Sequence, residues 1–291
     1  MDCENNLVIV GNGFDVSNGL PSRYSDFKEW LNRNDNELFL FLEKYIDVSG
    51  DWWNDFERNL SEINVPKLIR ETPLDNHPRD PRLLPDFSHP ASWRLDKIHD
   101  ILFERFTDWI QSVEGKPAKK EVNLPDAGLY ISFNYTDTLE RIYGIDTEKI
   151  LYIHGKASRG DKLIFGHGKS HLFLEDDVMQ RYRLRRSEDF FTPGTISDSE
   201  YELIQHIAYL EKRPYDQLIR YGELLLSSVM SAHCASVYGL SFSEVDRPYV
   251  EWIVEKNPSI RWRVSWHTEK DNKCISDTLR TLGATYELFY M

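Results

Sequence analysis

Two side chains suited to catalysis, Asn134 and His154, each directly follow an apolar run of the sequence. A histidine can take or release a proton near neutral pH, and an asparagine amide can orient a water molecule without carrying charge. Each residue alone also has a structural explanation, because an asparagine after a strand commonly caps the next helix. An isolated histidine is more often a satisfied structural residue. The pair becomes a candidate site where the fold brings the two side chains together.

A second set of candidates lies in a glycine-rich turn after the apolar residues 7–10. Gly11 and Gly13 can bring the backbone close to a pyrophosphate, because glycine has no Cβ to block the approach. The amides of the helix that follows would then face the anion. The third glycine, Gly19, comes later than in the usual dinucleotide fingerprint. The turn therefore predicts a nucleotide phosphate site with an uncommon glycine spacing.

The elements around these residues repeat one pattern, in which a strand leads into a polar loop and then a helix. The predicted strands cover residues 6–10, 128–133, 149–153, 162–165, 235–238 and 261–266. This alternation is typical of an α/β fold with an open, mostly parallel, Rossmann-like sheet, in which ligands bind outside the carboxyl ends of the strands. Four loops are therefore expected to converge on one cleft, namely residues 11–15, 134–138, 154–155 and 239–246.

The predicted Rossmann-like core is discontinuous in the sequence. Its segments are residues 1–34, 120–170 and 233–291. Two large helical insertions interrupt it, at residues 35–119 and 171–232. The first insertion contains a proline-rich stretch that predicts a loop, and the end of the chain, after residue 282, is interpreted as a short apolar tail.

The residues of the converging loops differ in the chemistry that they offer. Backbone amides for a pyrophosphate come from the glycine turn and from Ser241, and the acceptors for ribose hydroxyls are Asp15 and Asp246. Three further residues, Glu57, Asp137 and His167, are possible members of the same cleft. Core packing beside a satisfied acid explains Glu57 equally well, and a tight structural turn is the favoured interpretation of His167.

Composition excludes several classes of partner. The formal net charge of −13 argues against nucleic acid, because binding to a phosphate backbone depends on Lys and Arg. The apolar runs are far shorter than the roughly 20 residues of a membrane-spanning helix, and the acidic, polar start of the chain differs from a secretory signal. We therefore expect a cytoplasmic protein without a membrane partner. The cysteines lack metal-ligand spacing, so no metal is expected.

Five blocks of the chain together resemble the AbiH family of bacterial phage abortive-infection proteins. They are Gly11-Asn12-Gly13-Phe14-Asp15 with Gly19-Leu20-Pro21, the stretch from Trp53 to Glu57, Ser132-Phe133-Asn134-Tyr135-Thr136, Ile153-His154-Gly155, and Gly239-x-Ser241 with Asp246. Four of these blocks, those without Trp53 to Glu57, are more distantly similar to sirtuin-like NAD-binding domains. The resemblance implies that Asn134 and His154 are catalytic. It implies a nucleotide site formed by Gly11, Asn12, Gly13, Phe14, Asp15, Gly19, Gly239, Ser241 and Asp246.

The resemblance also implies a function in phage defence. The leading hypothesis is an NAD glycohydrolase that depletes NAD, or a related nucleotide, when a phage-derived trigger is sensed. The competing hypothesis is a nucleotide-binding sensor or interaction protein without catalysis, and assembly into a homo-oligomer stays open. The zinc cysteines of sirtuins are absent from the sequence, which makes deacetylation the least supported activity. Thr136 stands where the sirtuin pattern has an Asp, and this departure favours the hypothesis of a sensor without catalysis.

Overall fold

The computed structural model of the 291-residue chain describes residues 6–72, 90–168, 203, 207, 210–212 and 214–291. The chain divides into two compact units. The first comprises residues 1–27, 107–164 and 213–291, and the second comprises residues 28–106 and 165–212. The sequence-based boundaries of the core and its insertions stay predictions. Most of the proline-rich loop and much of the second predicted insertion lie outside the described residues.

The first unit is built on six parallel strands. They are β1 (Asn6–Val10), β2 (Leu129–Ser132), β3 (Ile150–Tyr152), β4 (Cys234–Tyr238), β5 (Arg261–Trp266) and β6 (Thr285–Tyr290). Their spatial order is β3-β2-β1-β4-β5-β6, which is the order of doubly wound dinucleotide-binding sheets. The predicted open, parallel α/β sheet with helical insertions is therefore confirmed. From β1 the strands β2 and β3 are added on one side and the strands β4, β5 and β6 on the other, so the strand order reverses between β1 and β4. In such sheets ligands bind at this switch point.

The central strand β1 is buried on both faces of the sheet. Its apolar residues divide between two core clusters, with Leu7 and Ile9 in one and Val8 and Val10 in the other. Successive side chains of a strand point to opposite faces, so both faces of β1 are covered. An unbroken apolar run is what a strand buried on both faces requires.

Ten α-helices are found within the described residues. They are α1 (Asn12–Ser17), α2 (Tyr24–Asn34), α3 (Asn36–Tyr45), α4 (Phe56–Asn59), α5 (Val65–Glu71), α6 (Pro90–Glu114), α7 (Thr138–Arg141), α8 (Pro214–Ser231), α9 (Arg247–Lys256) and α10 (Glu269–Thr281). Side-chain hydrogen bonds determine where several of these helices begin. Asp35 accepts from the Leu38 amide at α3, and Thr268 forms a reciprocal capping box with Asp271 at α10. None of the described helices has the length and apolar character needed to cross a bilayer.

The strand predicted over residues 162–165 is wrong. The described backbone there pairs with no strand, although Leu163 and Phe165 are buried. The Ile164 amide instead donates to the carbonyl of His154 at 2.9 Å, within an irregular loop. The alternation of apolar residues therefore records the burial of a loop, which periodicity alone cannot distinguish from a strand.

The C-terminal residues interpreted as an apolar tail form a strand instead. β6 pairs in parallel with the whole length of β5, from Arg261 opposite Thr285 to Trp266 opposite Tyr290. Its residues are partly exposed, because β6 is the last strand of the sheet and packs on only one neighbour. A short aromatic strand with weak alternation carries little signal at the end of a chain.

Candidate functional site

The glycine turn after β1 packs against the loop after β4. The Gly11 amide donates to the Tyr238 carbonyl at 2.9 Å, and the Gly13 amide donates to the Gly239 carbonyl at 2.9 Å. The Gly239 amide in turn donates to the Ser265 hydroxyl at 2.8 Å. All three glycine amides are therefore bonded within the protein. We call Gly11, Gly13 and Gly239 the glycine contact.

The glycine contact leaves no room for side chains. A Cβ on Gly13 would lie 2.8 Å from the Gly239 Cα, and a Cβ on Gly239 would lie 2.1 Å from the Phe14 nitrogen. Gly239 also has a φ of +66°, a conformation that favours glycine. The glycines at the switch point thus allow two backbones to approach each other.

Gly19 has a different structural reason. It follows α1 with a φ of +85°, and its amide donates to the Val16 carbonyl at 3.0 Å. The next amide, of Leu20, donates to the Asp15 carbonyl at 3.0 Å. These two bonds form a Schellman motif, which ends a helix with a left-handed glycine. The late third glycine of the sequence pattern is therefore a helix cap.

A group of buried polar side chains lies at the carboxyl ends of β1 and β2. The Thr136 hydroxyl donates to Asp15 Oδ2 at 2.6 Å, and the Thr136 and Thr138 hydroxyl oxygens lie 3.0 Å apart. Asn134 enters the same group, since its side chain interacts with the Asp15 carboxyl. Asp15 is 1% exposed and Asn134 is 5% exposed. We call Asp15, Asn134, Thr136 and Thr138 the Asp15 cluster.

The Asp15 cluster holds a carboxyl group that is difficult to ionise. Burial raises the pKa of Asp15 to about 6, although the hydrogen bond from Thr136 lowers it. Within the part of the chain that the structure describes, Asp15 Oδ1 and Asn134 Nδ2 are buried without a hydrogen-bond partner. Buried polar atoms of this kind are uncommon in native proteins and call for an explanation.

Further acidic residues surround the phenol of Tyr152 on β3. Burial, followed by the charges of Glu140 and Asp137, raises the pKa of Tyr152. Glu140 accepts a hydrogen bond from Lys156 at 2.6 Å. Glu114, at the end of α6, accepts from the Asp137 amide at 3.0 Å, and burial raises the pKa of Glu114 to about 7. Lys156 and Arg159 lie over the Tyr152 ring, 5.4 Å and 5.9 Å from its centroid, so this side of the sheet combines several carboxyl groups with cations.

His154 lies among aromatic rings. Its ring contacts Phe133 edge to face at 5.3 Å, stacks near Tyr135 at 5.8 Å and meets Tyr249 at 5.9 Å. Nδ1 lies 3.2 Å from the Phe133 carbonyl, which can only accept, so Nδ1 carries a hydrogen. Phe133 and Tyr249 belong to the core cluster of Leu7 and Ile9. His154 thus has a different set of neighbours from the Asp15 cluster.

The remaining predicted nucleotide-binding residues differ in exposure. Asn12 and Ser241 are exposed, whereas Phe14 is fully buried against Tyr143, with ring centroids 5.1 Å apart. Asp246 is half-buried at the start of α9 and accepts from the Ser243 hydroxyl at 3.3 Å. Asn12 and Ser241 are therefore the members of this set that are open to solvent.

The three possible cleft residues fall in both units. Glu57 is nearly buried and pairs with Lys212 at 2.7 Å, and His167 is fully buried with Nε2 3.0 Å from the Ile207 carbonyl. Both belong to the second unit, so their place in a cleft stays a prediction. Asp137 belongs to the first unit and accepts from Arg141 at 3.1 Å.

Sequence reasoning selected Asp15 and Asn134 but missed their partners. In the sequence Thr136 and Thr138 indicate no more than parts of a motif, whereas in the fold their hydroxyl groups lie 3.0 Å apart and Thr136 joins the loop after β2 to Asp15. Asn18 was also missed. Its side chain donates to the Phe14 carbonyl at 2.7 Å and accepts from Tyr143 at 2.7 Å, which fixes α1. The signal was the run of short polar residues after β2, because a buried strand that delivers several hydroxyl groups needs partners for them.

Comparison with known proteins decides the family. The family model described as "Bacteriophage abortive infection AbiH" matches residues 7–266, which span β1 to the end of β5. The chain belongs to the AbiH family. Membership supports a role in phage abortive infection, as the family description states. No curated protein matches this AbiH chain.

Proposed function

We propose that this AbiH protein binds NAD or a related nucleotide at the carboxyl ends of β1, β2 and β4 and hydrolyses its N-glycosidic bond. Depletion of the nucleotide would then stop phage growth. The observation that carries the proposal is the Asp15 cluster, which places a carboxyl, an amide and two hydroxyls at the end of a sheet with the dinucleotide-binding strand order. Buried groups with shifted pKa values and open hydrogen-bonding positions are typical of active sites.

The proposal assigns separate tasks to the residues. Asn134 positions the attacking water, and His154 binds ribose and assists proton transfer. Nδ1 of His154 lies 3.2 Å from the Phe133 carbonyl, so the proposal assigns this task to Nε2. The amides of the glycine contact are bonded internally, so the exposed Asn12 and Ser241 are better placed to meet the phosphates.

A second candidate function is nucleotide sensing without catalysis. The observation in its favour is burial, because Asp15 and His154 are each 1% exposed. A nucleotide reaches them only after the surrounding loops move. In either case a phage-derived product is the proposed trigger, and such a trigger would act by opening the site.

The test is to incubate the purified protein with NAD, with and without phage-infected cell extract, and to separate nicotinamide from ADP-ribose by chromatography. Hydrolysis predicts both products in equal amounts, and His154→Asn should slow their formation. His267→Asn is the matched control, since His267 is exposed. Calorimetric binding of NAD without products would favour the sensor. If the protein neither binds NAD nor forms products in the presence of the extract, both functions are refuted.

A further inference from the structure

The Asp15 cluster contains two complementary open positions. Asp15 Oδ1 is an acceptor, Asn134 Nδ2 is a donor, and both are buried without a partner among the described residues. The Asn134 side chain is near enough to lower the pKa of Asp15, so the two side chains that carry these open positions are neighbours. One water molecule can satisfy both, because its oxygen accepts from the amide while its hydrogen is donated to the carboxylate.

Building on the proposed hydrolysis, we propose that Asp15 is the acid–base residue of this site, which holds the attacking water with Asn134 and takes its proton. This role differs from that of a ribose acceptor, which the sequence pattern suggested for Asp15. Thr136 acts as a positioning residue. Its 2.6 Å hydrogen bond occupies Oδ2 and leaves Oδ1 directed to the water.

Other carboxylates of the first unit are engaged elsewhere. Asp137 accepts from Arg141, Asp246 accepts from Ser243, and Glu140 is held by the Lys156 ammonium. Glu114 accepts from the backbone of Asp137. Asp15 differs in that it is 1% exposed, its polar neighbours Thr136, Thr138 and Asn134 are uncharged, and its Oδ1 accepts no hydrogen bond among the described residues. It is therefore the carboxylate best placed to exchange a proton.

The step balances without a further reactant. The water oxygen bonds to the anomeric carbon of the ribose as the bond from that carbon to the pyridinium nitrogen breaks. The bonding electron pair stays with the ring and neutralises it as nicotinamide. The water proton passes to Asp15 and then to solvent. The products are nicotinamide, ADP-ribose and one proton.

The electrostatics fit this role. Burial raises the pKa of Asp15 to about 6, and a base is most useful when its pKa lies near the working pH. The titratable groups that face Asp15 are Asp137 in the loop after β2, Tyr143 after α7 and Tyr152 on β3. Of these, Asp137 raises the pKa of Asp15 further.

The experiment measures kcat and KM for NAD from pH 5 to pH 9 in the wild type, Asp15→Asn and Asp146→Asn. The control Asp146 is exposed and caps a short turn, which asparagine also does. We expect Asp15→Asn to lower kcat by about 100-fold or more, since general bases contribute on that scale. KM should change little. The wild-type kcat should rise with pH near 6, and Asp15→Asn should lose this rise.

A second pair of variants tests the proposal even where Asp15→Asn fails to fold. Thr136→Val removes the hydrogen bond that stabilises the Asp15 carboxylate, so the midpoint of the kcat rise should move to higher pH, and Thr136→Ser should restore it. An unmoved midpoint, or an Asp15→Asn variant within threefold of wild-type kcat, would overturn the assignment of Asp15 while hydrolysis stands. A wild type that never cleaves NAD would overturn both.

Discussion

The glycine contact and the Asp15 cluster adjoin each other at the carboxyl ends of the central strands, but they affect stability in opposite ways. The glycine contact satisfies all three of its amides and brings two backbones together. The Asp15 cluster buries a carboxyl group and leaves polar atoms without partners in the described structure. The first region therefore stabilises the fold, whereas the second lowers its stability.

This contrast separates the structural residues of the glycine contact from the residues that we propose to be functional. A buried group that destabilises a fold persists where activity requires it, so substitutions there can raise stability and remove function. The glycines of the glycine contact are structural, because all three amides are hydrogen-bonded within the protein and their close contacts hold two loops together.

The largest effect is expected from Gly239→Ala. The added Cβ would meet the Phe14 nitrogen at 2.1 Å in a backbone conformation with φ of +66°, so one of the two loops must shift. We expect a loss of about 3 kcal/mol or more in the free energy of unfolding, measured by urea denaturation. A loss below about 1 kcal/mol would show that the glycine contact is not tight.

Asp15→Asn should stabilise the protein at pH 8. The pKa of this group is 3.8 in a free aspartate and about 6 in the folded chain, so the unfolded state ionises first. Stability from this group is lost as pH rises from about 4 to about 6 and stays lower above that range. Removing the ionisable group should therefore add roughly 3 kcal/mol at pH 8 and less at pH 5. An equal gain at both pH values in urea denaturation would contradict this origin.

Thr136→Val should destabilise the protein by about 1–2 kcal/mol at pH 8, because the buried carboxylate loses its 2.6 Å donor. Urea denaturation of Thr136→Val in the wild-type and Asp15→Asn backgrounds gives the check. The loss should be smaller in the second background, where no carboxylate remains. Equal losses in both would mean that Thr136 stabilises the fold independently of Asp15.

The smallest effect is expected from Gly19→Ala. Gly19 has a φ of +85°, but a Cβ there meets nothing within 4 Å. Only the left-handed backbone conformation then disfavours alanine. We expect a loss of about 1 kcal/mol in the free energy of unfolding, measured by thermal denaturation. Because Gly19 and Gly239 both have positive φ, the difference between their alanine variants isolates the steric part of the glycine contact.

Part of this architecture was predictable from local patterns. Four apolar residues in β1 predict a strand buried on both faces, and the alternation of strands and helices predicts a parallel sheet. The strand prediction for residues 162–165 was wrong because alternating burial also occurs in irregular loops. β6 was missed because its partial exposure on one edge of the sheet weakens the alternation that marks a strand.

The candidate site was predicted as a set of residues and not as a geometry. Asp15 and Asn134 were selected, but the bond between Asp15 and Thr136 joins positions 121 residues apart. Such a contact depends on β2 pairing with β1, and strand order has no local signature. For the same reason the spacing of Gly11 and Gly13 predicts a phosphate site, while their contact with Gly239 has no local signature in the sequence.

The sequence by itself determined the family, the α/β class and the polar residues available at the strand ends, because each of these follows from residue types and short-range spacing. The tertiary structure decided what each residue does. It bonded the glycine amides to a neighbouring loop, enclosed His154 among aromatic rings and buried Asp15 beside Thr136 and Asn134. Burial and long-range pairing set these roles, since both arise only when distant segments pack together.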